Sequence, residues 1–154
     1  MYIHKSPPDF TQTLDVIITE KHIGQILFAT TENGKTVYSN NKGHVFRYDS
    51  IKHDTFCRYI LSTGRVPVFE YIYHNAQMFL LCIQHGCKYT DWVEMSRWAE
   101  QFDIPIVPVL YIGPMSSADY TLFENNVEHS GDQHGHMEGY VLRTSRDEFY
   151  KVKT

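Results

Sequence analysis

The chain has 154 residues, enough for one domain with a sizeable core. Apolar residues make up 42% and charged residues 21%, an ordinary soluble balance, and the net charge of −4 excludes nucleic-acid binding by bulk electrostatics alone. Cys57, Cys82 and Cys87 are too few and scattered for a disulfide framework, and no apolar run nears the roughly 20 residues that span a bilayer, so a soluble, cytoplasmic protein is expected.

Pro7-Pro8 marks an extended lead-in. Leu14 to Glu20 is rich in β-branched residues and reads as a strand. Gly24 to Thr31 and Thr36 to Ser39 flank Asn33-Gly34, the signature of a hairpin turn. Asn40 to Gly43 is a second turn, followed by a short strand over His44 to Arg47. Ser50 to Ser62 reads as a helix capped by Ser50 and closed by Gly64. Arg65 to Tyr73 and Gln77 to Gln84 form a hairpin around His74-Asn75.

Asp91 to Phe102 is the clearest helix. Trp92, Met95, Ala99 and Phe102 recur at helical spacing, and Asp91 with Glu94 resembles a capping box. Ile104 to Ile112 is an apolar strand interrupted by Pro105 and Pro108, hence an edge or bulged strand. Ser116 to His136 is polar and mostly loop with room for a short helix, and Glu138 to Arg143 and Glu148 to Lys153 are the last strands. The expected fold class is α+β, with antiparallel β-sheets flanked by about two main helices, in a single domain over residues 1–154.

Four short motifs carry candidate chemistry. Lys21 follows a strand and precedes Gly24, where a lysine amine can act as a nucleophile if its surroundings favour the neutral form. Glu70 ends Val66-Pro67-Val68-Phe69-Glu70. Glu138 and Gly139 open a strand, and the glycine permits close backbone approach. Lys151 and Lys153 share one strand face by period-two alternation. His129 to His136 contains three histidines that could bind a metal or simply form a polar loop, and Cys82, His85 and Cys87 present the same pair of readings.

The order Lys-x-x-Gly, Phe-Glu, Glu-Gly-x-Val and Lys-x-Lys resembles the covalent nucleotidyltransferase superfamily, and within it the RNA ligase branch, from about Leu14 to Lys153. The resemblance implies an ATP-grasp-like nucleotidyltransferase domain in which Lys21 forms a lysyl-AMP intermediate from ATP. It implies that Glu138 binds Mg2+ or Mn2+, that Glu70 contacts the nucleotide sugar, and that Lys151 and Lys153 contact the phosphates. Glu20 and Gly24 would lie along the nucleotide, and Phe79 would stack on the base.

This chain departs from the family pattern. Ile23 replaces an aspartate, the glycine usual before Glu70 is missing, and Asn40 stands where an arginine is common, with Lys42 or Arg47 as nearby substitutes. The chain stops one residue after Lys153, whereas family ligases carry a further domain. Self-adenylylation is therefore a safer expectation than strand sealing. RNA is the expected polynucleotide partner, with a partner chain or oligomer supplying what the trailing domain would add. The rival expectation is a non-catalytic nucleotide- or RNA-binding module derived from the same family.

Overall fold

The computed structural model describes residues 1, 3–129 and 137–153. In chain order its strands and helices are β1 (Ile3–His4), β2 (Leu14–His22), β3 (Gly24–Glu32), β4 (Lys35–Ser39), β5 (Val45–Phe46), α1 (Ile51–Ser62), β6 (Val66–Ile72), β7 (Gln77–His85), β8 (Lys88–Tyr89), α2 (Trp92–Phe102), β9 (Val109–Met115), α3 (Ser117–His129), β10 (Met137–Thr144) and β11 (Phe149–Lys153). The class is α+β. The elements form two compact units, one of residues 1–23 with 108–154 and the other of residues 24–107.

The first unit is built on a five-stranded sheet in the order β1-β11-β10-β2-β9. All its pairings are antiparallel except β1 with β11. Alternation along β2 buries Leu14, Val16 and Ile18, and these pack with Met115, Tyr120, Tyr140, Leu142 and Val152 into one core. Tyr120 lies on α3, in the stretch read from sequence as mostly loop. The helix starts there because Ser116 and Asp119 cap each other. The Ser116 N–H donates to the Asp119 carboxylate at 3.0 Å, and the Asp119 N–H donates to the Ser116 hydroxyl at 3.2 Å.

The second unit holds an antiparallel six-stranded sheet in the order β5-β4-β3-β6-β7-β8. Asn33 and Gly34 take φ of 52° and 76°, which makes the β3–β4 connection the two-residue turn that Asn-Gly favours. Helices α1 and α2 cover one face through Phe56, Cys57, Ile60, Met95 and Ala99, which meet Leu27, Phe69, Leu80 and Ile83 of the sheet. Trp92 and Trp98 pack at the edge of this core. Asp91 caps α2 by accepting from the Val93 N–H at 3.2 Å. Glu94 does not complete a capping box with it but lies 3.6 Å from Arg65.

The strand expected over Ile104 to Ile112 starts later, at Val109. Residues 104–107 belong to the second unit instead. Leu80 donates its N–H to the Pro105 carbonyl at 2.8 Å and accepts from the Val107 N–H at 3.1 Å, while Ile104 and Val107 are buried. Only after Pro108 does the chain join the edge of the other sheet, as β9 beside β2.

Glycine at position 24 is a steric requirement of the fold. A Cβ there would stand 1.8 Å from the Tyr71 carbonyl oxygen, because β3 begins hard against β6. Gly24→Ala should therefore lower the unfolding free energy by about 3 kcal/mol, the upper end for an overpacked site, as read by urea denaturation.

His53 is buried at 2% exposure. Its Nε2–H donates to the Met78 carbonyl at 3.1 Å, and Nδ1 lies 2.7 Å from the Ser50 hydroxyl, which donates to it. Burial holds the imidazole below the ordinary histidine value, outweighing the opposite pull of the Met78 carbonyl. As pH falls through about 6.5 the unfolded chain takes up a proton that folded His53 resists, so stability is lost on acidification by up to about 1.4 kcal/mol per pH unit. Urea midpoints between neutral and mildly acid pH should fall more steeply in the wild type than in His53→Gln.

Candidate active site

Lys21 stands near the end of β2 and is half-buried. In register it lies opposite Gly139 of β10, and Gly139 lies opposite Lys153 of β11. Two residues back, Thr19, Val141 and Lys151 make the next row on the same three strands. Residues directly opposed across an antiparallel pair share a face, and so do residues two apart on one strand. Lys21, Lys151 and Lys153 therefore occupy one face of the sheet. The opposite face carries the Val16, Ile18, Tyr140 and Val152 core.

Strand spacing sets the scale of this lysine corner. Lys21 and Lys153 are two strands apart, about 10 Å between backbones, and Lys151 and Lys153 are about 7 Å apart along β11. Gly139, between the first two, has no side chain to fill the row. Its φ of 144° lies where residues with a Cβ are strained.

Glu138 is the extra residue of a bulge, since His22 pairs with Met137 and Lys21 with Gly139. The side chains of Glu138 and Lys153 lie outside the described residues, as do the histidines at 134 and 136 and the side chain of His129. Among the described residues no group of three or more His, Cys, Asp or Glu side chains gathers where a metal could be held. Cys82 is buried and Cys87 is exposed.

Glu20 falls on the face opposite Lys21 by alternation. Its carboxylate lies 3.2 Å from His22 Nε2, and its N–H donates to the Pro108 carbonyl at 3.0 Å. Thr19, two residues before Lys21, is buried at 4% in the row of Lys151.

In the second unit, Glu70 sits in mid-strand on β6, not at a strand end, with Ile26 of β3 on one side and Phe79 of β7 on the other. These three share the sheet face turned away from α1 and α2. Glu70 is 4% exposed, and Phe79 is half-buried. A carboxylate and an aromatic edge on one apolar row suit a sugar hydroxyl and a base. Gly24 lies on the same face two residues before Ile26. Lys42 is exposed in the turn after β4.

Asn40 builds that turn. Its side-chain carbonyl accepts from the backbone N–H of Lys42 at 3.0 Å and of His44 at 2.9 Å. Its Nδ2 donates to Gln25 Oε1 at 3.3 Å, and Gln25 Nε2 donates to the Tyr73 hydroxyl at 2.7 Å.

A family model for RNA ligase matches residues 27–153, a span that includes Glu70, Glu138, Lys151 and Lys153 and begins after Lys21. No curated protein sequence matches the chain. Among solved structures, an archaeal ATP-dependent RNA ligase in two forms superposes with TM-scores of 0.75 and 0.76 at 14% identity, covering 100% of this chain and 48% of that one. A Naegleria gruberi RNA ligase mutant with AMP and Mn gives a TM-score of 0.57 at 12% identity, covering 92% of this chain and 50% of its own. At such identity these likenesses show the fold, and the chain spans about half the length of the solved ligases it matches. With most of its length under the family model and the ligase nucleotidyltransferase fold beneath it, the chain belongs to the RNA ligase family of the covalent nucleotidyltransferase superfamily.

Proposed function

We propose that this chain transfers AMP from ATP to Lys21, as the first step of RNA end joining. The observation that supports it most is the row of Lys21, Gly139 and Lys153, with Lys151 beside it, in an RNA-ligase-family chain. In the proposed step the neutral Lys21 amine attacks the α-phosphorus. A P–N bond forms, the P–O bond to the β-phosphate breaks, pyrophosphate leaves with the bonding electrons, and the nitrogen gives up one proton to solvent.

Lys151 and Lys153 hold the phosphates and offset the charge that builds up on the departing pyrophosphate. Glu70 takes the sugar hydroxyls, and Phe79 flanks the base. A bound Mg2+ or Mn2+ would neutralise phosphate charge, with Glu138 as its protein ligand. A hard divalent cation in nucleotide sites is commonly held by one or two carboxylates and the phosphates themselves, which is the part a carboxylate at position 138 would take. Strand sealing and the RNA it acts on belong to the same proposal, as does a partner chain or further domain that contributes to sealing.

One observation favours the second reading, a non-catalytic nucleotide- or RNA-binding module. Asn40, where an arginine is common in the family, is committed to shaping its own turn.

The test incubates the protein with α-labelled ATP and magnesium and separates the product on a denaturing gel. Covalent label on the wild type that falls to background in Lys21→Ala is the expected result, with labelled GTP a poorer donor. Bound ATP with no label at any pH leaves the binding-module reading in its place. Gly139→Ala puts a methyl group into the lysine row at a backbone angle that suits only glycine. It should cut the labelling rate about a hundredfold through misplacement of the reacting groups and cost about 1–3 kcal/mol of stability.

A further inference from the structure

Residues 33–48 contain no Asp or Glu, in a chain whose net charge is −4. Lys35 in this stretch stands opposite Glu32 in register across the β3–β4 hairpin. The remaining basic residues, Lys42, His44 and Arg47, are clustered around β5, which forms the edge of the six-stranded sheet, and all three are exposed. Val45 between them is 66% exposed. The loop is also braced. Asn40 ties its backbone at Lys42 and His44, and the Asn40–Gln25–Tyr73 hydrogen bonds anchor the turn to the start of β3 and the end of the β6–β7 hairpin. The backbone bonds Asn40 N–H to the His44 carbonyl and Gly43 N–H to the Asn40 carbonyl, both 3.0 Å, close it.

We propose that this edge loop grips the phosphate backbone of single-stranded RNA, with Lys42 and Arg47 as the charged contacts and Asn40 as the positioning residue that shapes the turn carrying Lys42. The proposal rests on the RNA-ligase reading for the identity of the polyanion, and it assigns Lys42 to the polynucleotide in place of ATP. Charge complementarity is the argument. Lys42, His44 and Arg47 stand exposed around one edge strand, with Asp49 as the nearest carboxylate in sequence, and the excess of cations attracts a polyanion even on an acidic protein. A preformed turn spares the ordering cost that a floppy basic loop would pay on binding.

The test measures fluorescence anisotropy of a labelled single-stranded RNA oligonucleotide titrated with the full chain over a range of salt concentrations. Lys42→Ala and Arg47→Ala should each weaken binding about three- to tenfold, and each should lower the slope of log affinity against log salt by about 0.7, the value of one single-strand phosphate contact. Asn40→Ala removes no charge, so it should weaken binding and leave the salt slope as it was. Wild-type RNA binding that is indifferent to Lys42 and Arg47, or no RNA binding by the wild type, overturns the inference. So does an apparent KM for ATP in self-labelling that rises in these two variants while RNA affinity holds. Labelling on the same preparations separates the two ideas. A chain that labels but ignores the loop variants fails only this inference, and a chain that binds RNA through the loop without labelling fails only the proposed transfer.

Discussion

The pairing register of β2, β10 and β11 is the constraint on which the account depends. Side chains in a strand alternate, so a slip of one residue between β2 and β10 would turn Lys21 toward the core and expose Ile18 and Val16. The apolar side of the sheet therefore dictates where the lysines stand. Burial of Val16, Ile18, Tyr140, Leu142 and Val152 is what places Lys21 opposite Gly139 and Gly139 opposite Lys153. The bulge at Glu138 is the one local departure from that alternation.

The second sheet follows the same logic with different residues. Its helix-covered face fixes Leu27, Phe69 and Leu80 inward, which leaves Ile26, Glu70 and Phe79 as a row on the other face. Close approach of β3 to β6 forces a glycine at 24. The glycine that follows Lys21 in the sequence motif thus has a backbone reason to exist, independent of any nucleotide. One position can serve a fold and a motif at once.

Much of this was legible in the sequence where a local rule acts alone. Alternating β-branched residues marked β2, Asn33-Gly34 marked the first hairpin, and Ser50 marked the start of α1. The order of the four motifs pointed to the family that the family model identifies. Features set by partners distant in sequence were harder to read. Residues 104–107 have the apolar pattern of a strand, but their hydrogen bonds go to Leu80. The polar face of α3 hid a helix whose signals were the Ser116 and Asp119 cap and the inward Tyr120 and Phe123. The Lys21–Gly139–Lys153 row is invisible along the chain because register is a property of pairing, and the role of Asn40 in its turn depends on where Gln25 and Tyr73 come to lie.

The central claim is that Lys21, among the lysines of this corner, is the one that accepts the nucleotide. Peptide mapping by mass spectrometry after incubation with ATP and magnesium tests it most directly. The account predicts one adenylate per chain, on the peptide that contains Lys21, and none on the peptides that contain Lys151 and Lys153. An adduct on either of those lysines, or an unmodified chain under conditions where ATP is bound, would contradict it.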